Sequence, residues 1–151
     1  MAEGLLPNSI ITQVAIVTDD IETLAARWAE LLGVPVPEPR WTDTRELAHT
    51  TFRGQPTEGR SRLAFFHLGP QVQLELIEPD HEPSTWREFL DAHGTALHHI
   101  AFNLKGMDEA LAVLEAHNMP TIQRGDYTGG RYSYVESDGW LGCILELLEN
   151  Y

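Results

Sequence analysis

The sequence predicts an α+β protein in which tandem βαβββ modules form a curved mixed sheet around a cleft. The first observation is an internal repeat: residues 13–16, followed by an apolar helical stripe, align without a gap on residues 99–102 and a second such stripe. The second is that both halves close on nearly one string, LELIE at residues 74–78 and LELLE at residues 145–149. We therefore interpret the chain as a tandem duplication.

The first module begins with a strand and a helix. Residues 10–18 are a short β-branched run, which predicts a strand. Asp19, with Glu22 three residues further on, predicts the N-cap of a helix, and Gly33 predicts the end of that helix. The apolar residues between them recur at helical spacing and form one stripe: Ile21, Leu24, Ala25, Trp28, Leu31 and Leu32.

The remaining elements follow the same order in both halves. After a proline-rich segment the first module continues with predicted strands at about residues 45–52, 62–68 and 72–78. The second module has a predicted strand at 97–104, a helix at about 107–117, and strands near 121, 131–135 and 143–148. Between the modules, Trp86, Phe89 and Leu90 at helical spacing predict a linker helix that packs on the sheet.

These elements predict one domain over residues 1–151. Module 1 covers about residues 9–79, the linker helix about 80–95 and module 2 about 96–150. A chain of 151 residues with 42% apolar content is long enough to bury a core.

Charge and composition narrow the expected partners. The formal net charge of −13 disfavours nucleic acids and anionic membrane surfaces, since both are polyanions that need a basic patch. A small-molecule substrate, no nucleic acid and no membrane are therefore expected. The single cysteine, Cys143, excludes an internal disulfide, and the sequence shows no apolar run near 18 residues and no signal-peptide pattern. These features predict a cytoplasmic protein.

Four side chains that can bind a metal occupy equivalent strand positions in the two halves. Superposing the repeats places Gln13 on His99 and Glu75 on Glu146. Alternate side chains of a strand lie on opposite faces, and by this rule all four leave the face that packs against the helices. The oxygen-rich set suits one divalent metal ion, Co, Ni, Zn, Mn or Mg, with positions left open for a substrate. The sequence therefore predicts a metal-binding cleft.

Each of these residues also has a structural interpretation. Gln13 is compatible with a strand residue bonded to backbone, and His99 with a packed histidine beside His98. Glu75 and Glu146 are compatible with solvated positions on amphipathic strands. The pairwise relation imposed by the duplication favours the metal site over four independent structural roles. His98 has the opposite strand parity and is expected to be structural.

The repeat resembles a known superfamily. The paired βαβββ modules, the strand ends ELIEP and ELLEN, and the segment GTALHHIAF at residues 94–102 look like the vicinal oxygen chelate superfamily. This superfamily includes glyoxalase I, bleomycin-resistance proteins and extradiol dioxygenases, and the chain is most similar to its methylmalonyl-CoA epimerase-like members. The resemblance covers about residues 9–149. It implies two metal ligands per module, which by position are Gln13, Glu75, His99 and Glu146.

The resemblance also implies a reaction. It predicts a divalent-metal-dependent lyase or isomerase/epimerase that abstracts a proton next to a carbonyl through a metal-bound enolate, with Glu146 as the catalytic base. Inversion at carbon needs a second acid/base, and our alignment places Leu63 where the epimerases keep a glutamate. His67 has the same parity as Leu63 and is the expected substitute. The acidic segment at residues 136–139 stands where CoA-utilising members often have a His-Pro-Lys-type segment, which disfavours CoA.

Two other functions remain open. Gln13 as the first ligand is the choice seen in some glyoxalase I enzymes and favours a lactoylglutathione lyase, whereas the short chain and the lack of an evident cationic glutathione site disfavour it. A non-catalytic small-molecule or drug-binding protein of the bleomycin-resistance type is the second alternative. An extradiol dioxygenase is less compatible with these ligands, because its iron is held by two histidines and one carboxylate.

A glycine-rich segment and several aromatic residues carry two further predictions. Residues 125–131 precede a strand and lack a lysine, so they do not form a P-loop. We expect a mobile lid over the cleft, with Tyr127, Gly130 and Arg131 binding the substrate; the alternative is an ordinary hairpin connection. The predicted sheet also leaves edge strands and apolar residues uncovered, namely Trp41, Phe52 and Trp140. This predicts a homodimer.

Overall fold

The structure is a computed structural model that describes residues 3–151. Its strands are β1 (Ile11–Val17), β2 (Arg40–Trp41), β3 (Thr51–Phe52), β4 (Gln55–Pro56), β5 (Ser61–Leu68), β6 (Val72–Pro79), β7 (Ala96–Asn103), β8 (Thr121–Tyr127), β9 (Gly130–Val135) and β10 (Ile144–Asn150). Its helices are α1 (Ile21–Leu32), α2 (Arg45–Ala48), α3 (Thr85–His93), α4 (Met107–Ala116) and α5 (Asp138–Leu141). No helix among these residues is long and apolar enough to cross a membrane.

The strands form one mixed sheet that displays the duplication. Their order is β2-β5-β6-β1-β7-β10-β9-β8-β3-β4. The first strands of the two modules, β1 and β7, pair antiparallel in the middle, and each also pairs in parallel with the last strand of its own module. The predicted α+β fold with two βαβββ modules in one curved mixed sheet is thus confirmed.

Helices cover one face of the sheet, and α3 covers part of the other. Helix α1 buries Ile21 and Ala25 against Leu74 and Leu76, and α4 makes the equivalent apolar layer in the second module. On the opposite face, Trp86 of α3 joins a core that includes residues of both modules. The linker helix therefore packs on the sheet as predicted, and it closes one end of the concave face.

One segment of module 1 crosses to module 2. Strand β2 lies at one end of the strand order, whereas β3, only ten positions further along the chain, pairs with β8 near the other end. Thr51 and Phe52 lie opposite Arg124 and Gln123. We call residues 42–60, which contain α2, β3 and β4, the crossover segment. It passes over the open side of the curved sheet.

Two sequence-based predictions in module 1 are wrong. The N-cap of α1 is Asp20, whose carboxylate accepts hydrogen bonds from the backbone N–H and the hydroxyl of Thr23, and not Asp19. The strand expected at residues 45–52 is a short helix followed by the two-residue strand β3. Arg45, Glu46, Leu47 and Ala48 have good helix propensity, and His49 ends the helix in the left-handed region with φ of 50°.

The glycine-rich segment forms a β-hairpin, which is the alternative to the lid interpretation. Strand β8 extends to Tyr127 and β9 begins at Gly130. Gly129 occupies the turn with φ of 91°, where only glycine is free of strain. A Cβ on Gly130 would lie 2.6 Å from the carbonyl oxygen of Glu149 and 2.7 Å from the Tyr127 ring. Close packing therefore accounts for Gly130.

Candidate metal centre

The four predicted ligands lie on the four central strands and are spaced by alanines. Ala15 on β1 lies opposite both Glu75 and His99, and Ala101 on β7 lies opposite both Gln13 and Glu146. Both alanines are fully buried. Small side chains at these two positions leave room on the concave face for the four longer ones to meet above them.

The functional atoms of the four residues converge. His99 Nε2 lies 2.9 Å from Glu146 Oε2, 3.5 Å from Glu75 Oε2 and 3.0 Å from the nearer amide atom of Gln13. That amide atom is also 2.7 Å from the carboxylate of Glu75 and 2.8 Å from that of Glu146. All four side chains are buried, with at most 6% of each residue exposed.

This donor set fits a divalent ion. Ligands about 2.1 Å from a metal and at right angles to one another are about 3.0 Å apart, which matches the separations in the cluster. The Gln13 amide presents its oxygen to the centre; turned over, it would donate hydrogen bonds to both carboxylates through its nitrogen. Two carboxylates balance the charge of one divalent ion. Gln13, Glu75, His99 and Glu146 would hold the ion.

A buried histidine positions the ligand ring from behind. The Nδ1 atoms of His98 and His99 are 2.8 Å apart, and His98 Nε2 lies 3.3 Å from the hydroxyl of Thr85. If His99 Nε2 is to offer a lone pair to a metal, its Nδ1 must carry the proton and donate to His98. His98 then carries its own proton on Nε2 and donates to Thr85. The chain of donors fixes the tautomer of His99.

Charge interactions within the cluster shift pKa values in opposite directions. Burial disfavours the imidazolium of His99, but the adjacent carboxylate of Glu146, assisted by that of Glu75, more than offsets this and raises the pKa of His99 to about 9. Burial raises the pKa of Glu75. Burial and the neighbouring charge of His99 lower the pKa of His98 well below its usual value. His98 is therefore neutral, as an acceptor for His99 must be.

The cluster lies in a cleft of about 560 Å³. Gln13, Glu75 and Glu146 line it, and the crossover segment contributes Asp43 and Thr50 to its mouth. Aromatic side chains supply much of the remaining wall: Trp41, Phe65, Trp86, Tyr127, Tyr132 and Tyr134. The volume suits a small organic molecule.

The predicted substrate-binding residues and the predicted second acid/base lie outside the four-residue cluster. Tyr127 lines the cleft, and its hydroxyl donates to Asn150 at 2.7 Å. Arg131 lies outside the cleft lining and donates to Glu149 at 2.8 Å and to Asp108 at 3.0 Å, so this geometry gives it no substrate contact. His67 is exposed and pairs across the sheet with Gln73, which does line the cleft.

Sequence reasoning missed the polar and aromatic contacts made by the linker helix. Trp86 Nε1 donates to the Tyr134 hydroxyl at 3.0 Å, and the backbone N–H of Thr85 donates to Gln123 at 2.8 Å. The alternation of Tyr132 and Tyr134 on one strand face was a usable signal for the aromatic wall. The partners on α3 had no such signal, because they depend on how the helix docks.

Comparison with known proteins identifies the class. Residues 12–135 match the profile of the Glyoxalase/Bleomycin resistance protein/Dioxygenase superfamily, and the chain belongs to this superfamily. Among curated relatives it is similar to "Uncharacterized protein YqjC" of Bacillus subtilis (strain 168), with 34% identity over 95 residues that cover 61% of this chain and 67% of the relative.

Solved structures share the fold. Methylmalonyl-CoA epimerase from Mycobacterium tuberculosis has a TM-score of 0.64 at 18% identity, covering 100% of this chain and 93% of the other. The hypothetical protein BH1468 from Bacillus halodurans C-125 has a TM-score of 0.65 at 17% identity, covering 94% of both chains. A variant of Streptomyces coelicolor methylmalonyl-CoA epimerase in complex with 2-nitronate-propionyl-CoA has a TM-score of 0.61 at 18% identity, with 93% and 96% covered.

Proposed function

We propose that this protein is a divalent-metal-dependent lyase or isomerase that removes a proton next to a carbonyl of a small molecule. The observation that carries the proposal is the convergence of Gln13, Glu75, His99 and Glu146 on one buried point at the base of a cleft. When bound, the ion supplies positive charge that stabilises negative charge developing on substrate oxygens.

Each residue of the cluster has a role in this scheme. Gln13, Glu75 and His99 hold the ion, and Glu146, which also lines the cleft, takes the substrate proton. The buried position of Glu146 keeps bulk water from quenching the carbanion. One carboxylate can return the proton on the face from which it came, which gives exchange or isomerisation.

Inversion at carbon requires a second acid/base on the other face of the substrate. Leu63 lines the cleft and cannot carry a proton. His67 lies on the same strand face as Leu63, is exposed, and is next to a lining position. An epimerase function therefore depends on His67 moving or reaching toward the substrate, and an isomerase or lyase function does not.

The alternatives carry their own supporting observations. A lactoylglutathione lyase is supported by Gln13 at the first ligand position and by a single buried base. A non-catalytic binder of the bleomycin-resistance type is supported by the exposed aromatic wall of the cleft, Trp41 and Phe65 above all. A binder of that kind needs no metal, so metal binding separates it from the two enzymes.

The decisive experiment measures metal binding. Purified protein should bind one equivalent of Zn²⁺ or Co²⁺, and Glu75→Ala should abolish binding, whereas the exposed control Glu115→Ala should not change it. A wild-type protein that binds no divalent ion, or a Glu75→Ala variant that binds as well as wild type, would contradict the proposal.

A second experiment tests the chemistry. Solvent-deuterium incorporation into methylmalonyl-CoA, with chiral analysis of the product, is measured for wild type and His67→Ala. We expect little or no inversion by the wild type. Rapid inversion that survives His67→Ala would show that the base on the second face lies elsewhere and that Leu63 was wrongly aligned.

A further inference from the structure

We infer that the substrate has an apolar body of aromatic size and carries no phosphate or carboxylate group, so that acyl-CoA thioesters and glutathione adducts are excluded. This inference rests on the proposed function, since it concerns what the cleft around the metal centre accepts. It is carried by the charge, the apolar surface and the hydrogen-bonding groups of the cleft wall.

The cleft wall is acidic. Four carboxylates line it, those of Asp43, Glu75, Asp126 and Glu146, and no lysine, arginine or histidine is found among the described lining residues. One divalent ion balances Glu75 and Glu146. Asp43 and Asp126 are the remaining acidic residues of the lining, so an anionic substrate meets repulsion from them.

Three basic side chains near the mouth have partners of their own, whereas Arg40, which lies opposite Leu63, is exposed. His49 Nδ1 lies 2.9 Å from Asp126, and Arg45 pairs with Glu58 at 2.7 Å. Arg60 donates to the carbonyl oxygen of Thr42 and lies 5.4 Å over the Trp41 ring. Phosphate recognition needs arginine, lysine or backbone N–H groups that point at the ligand, and these side chains point at partners of their own.

The apolar part of the wall is unusually exposed. Trp41 is 51% exposed and Phe65 is 42% exposed, although both line the cleft. Phe65 lies directly opposite the metal-ligand position Glu75 in the β5–β6 pair. A flat apolar group seated against Phe65 removes this ring from water while its oxygens reach the metal centre.

Tyr134 supplies a directed hydrogen-bond donor. The Tyr134 residue is 2% exposed and lines the cleft, and its hydroxyl accepts a hydrogen bond from Trp86 Nε1 at 3.0 Å. Within residues 3–151 its own O–H has no acceptor. Tyr132 also lines the cleft, and its hydroxyl accepts a hydrogen bond from Gln123 at 3.0 Å. The Tyr134 proton is therefore free to bond an uncharged acceptor oxygen of the substrate.

The test uses two ligands that differ at a single ring substituent. Aromatic hydroxamates chelate divalent ions through two oxygens, so 4-methyl- and 4-carboxybenzohydroxamic acid present the same chelating group with a neutral or an anionic ring substituent. Both are titrated into the Zn²⁺-loaded protein by calorimetry. We expect the carboxy compound to bind at least about tenfold more weakly, and coenzyme A and glutathione not to displace the methyl compound.

Variants of cleft-lining residues test whether these residues cause the difference in affinity between the two hydroxamates. The double variant Asp43→Asn, Asp126→Asn should reduce the discrimination between the two hydroxamates, whereas the distant control Asp138→Asn should preserve it. Tyr134→Phe should weaken both hydroxamates, with thermal unfolding and zinc binding measured to show that each variant is folded and loaded.

The outcomes test the proposed function and the inference about the substrate separately. Zinc binding with equal or tighter binding of the carboxy compound, or discrimination unchanged in the double variant, would overturn this inference and leave the proposed function standing. A wild-type protein that binds no zinc would overturn the proposed function and this inference with it.

Discussion

At the scale of single residues, the candidate site depends on donors and acceptors that are already arranged before a ligand binds. Most of the site could be predicted from the sequence. The superposed repeats give the four candidate ligand positions, and strand parity places all four on the same face of the sheet. The contact of His98 with the His99 ring could not be predicted, because strand parity alone indicated that His98 is a structural residue. Its function follows from the contact with His99 Nδ1, which requires knowing the ring orientations.

His98→Phe should weaken zinc binding by about 10- to 100-fold, since the N–H of His99 loses its acceptor and the ligand ring loses its fixed orientation. His98→Asn should restore part of the affinity, because an amide oxygen can accept the same proton. The measurement is competition with a chelator of known affinity. The exposed His81→Ala is the control, and unchanged zinc affinity in His98→Phe would exclude the positioning role.

Zinc affinity should rise with pH. The metal-free protein holds a proton on His99 up to its pKa of about 9, and zinc must displace it, so affinity should increase about tenfold per pH unit from about pH 6.5 to 9. The raised pKa also means that His99 stabilises the metal-free fold fully below about pH 6.5, and that this stabilisation is lost as the pH rises through about 9. Calorimetry at pH 7 and 8, in buffers of different ionisation enthalpy, should show that zinc binding releases a proton. A zinc affinity that does not change with pH would refute the displacement of a proton from His99.

At the scale of elements, the repeated strands and helices were predictable and the crossover segment was not. Strand β1 has a counterpart in β7, and β6 has one in β10. A strand predicted in one module therefore supported the prediction of the equivalent strand in the other module. The crossover segment has no counterpart in module 2, and its short strand exists only because β8 is beside it. Local propensity favours a helix at residues 45–48, whereas the strand β3 depends on its tertiary pairing with β8.

Thr57 ties the crossover segment to the start of α3. Its buried hydroxyl donates to the carbonyl oxygen of Pro83 and accepts from the backbone N–H of Gly59. Thr57→Val keeps the shape but leaves both groups unpaired, so we expect the free energy of unfolding to fall by about 1–3 kcal/mol. Urea denaturation measures this. The control is Thr128→Val in the exposed β8–β9 turn, and equal stability of Thr57→Val and wild type would refute the anchoring role.

At the scale of the whole molecule, large apolar side chains outside the core point to self-association. Trp140 is 66% exposed and Leu141 is 48% exposed, and both border an apolar groove with Leu6 and Phe102. We expect a homodimer, with a mass by light scattering of twice the 17.0 kDa of the chain. Trp140→Ser should weaken dimerisation. A wild-type particle of 17 kDa at micromolar concentration would contradict the expectation.

The crossover segment also constrains the order in which the chain can fold. A simple duplication would allow module 1 to complete itself as soon as it leaves the ribosome. Here Thr51 and Phe52 must wait for Arg124 and Gln123, more than 70 residues later, before β3 has a partner. Module 1 therefore reaches its final form only after most of module 2 has been synthesised, and its sheet edge stays open to other chains until then.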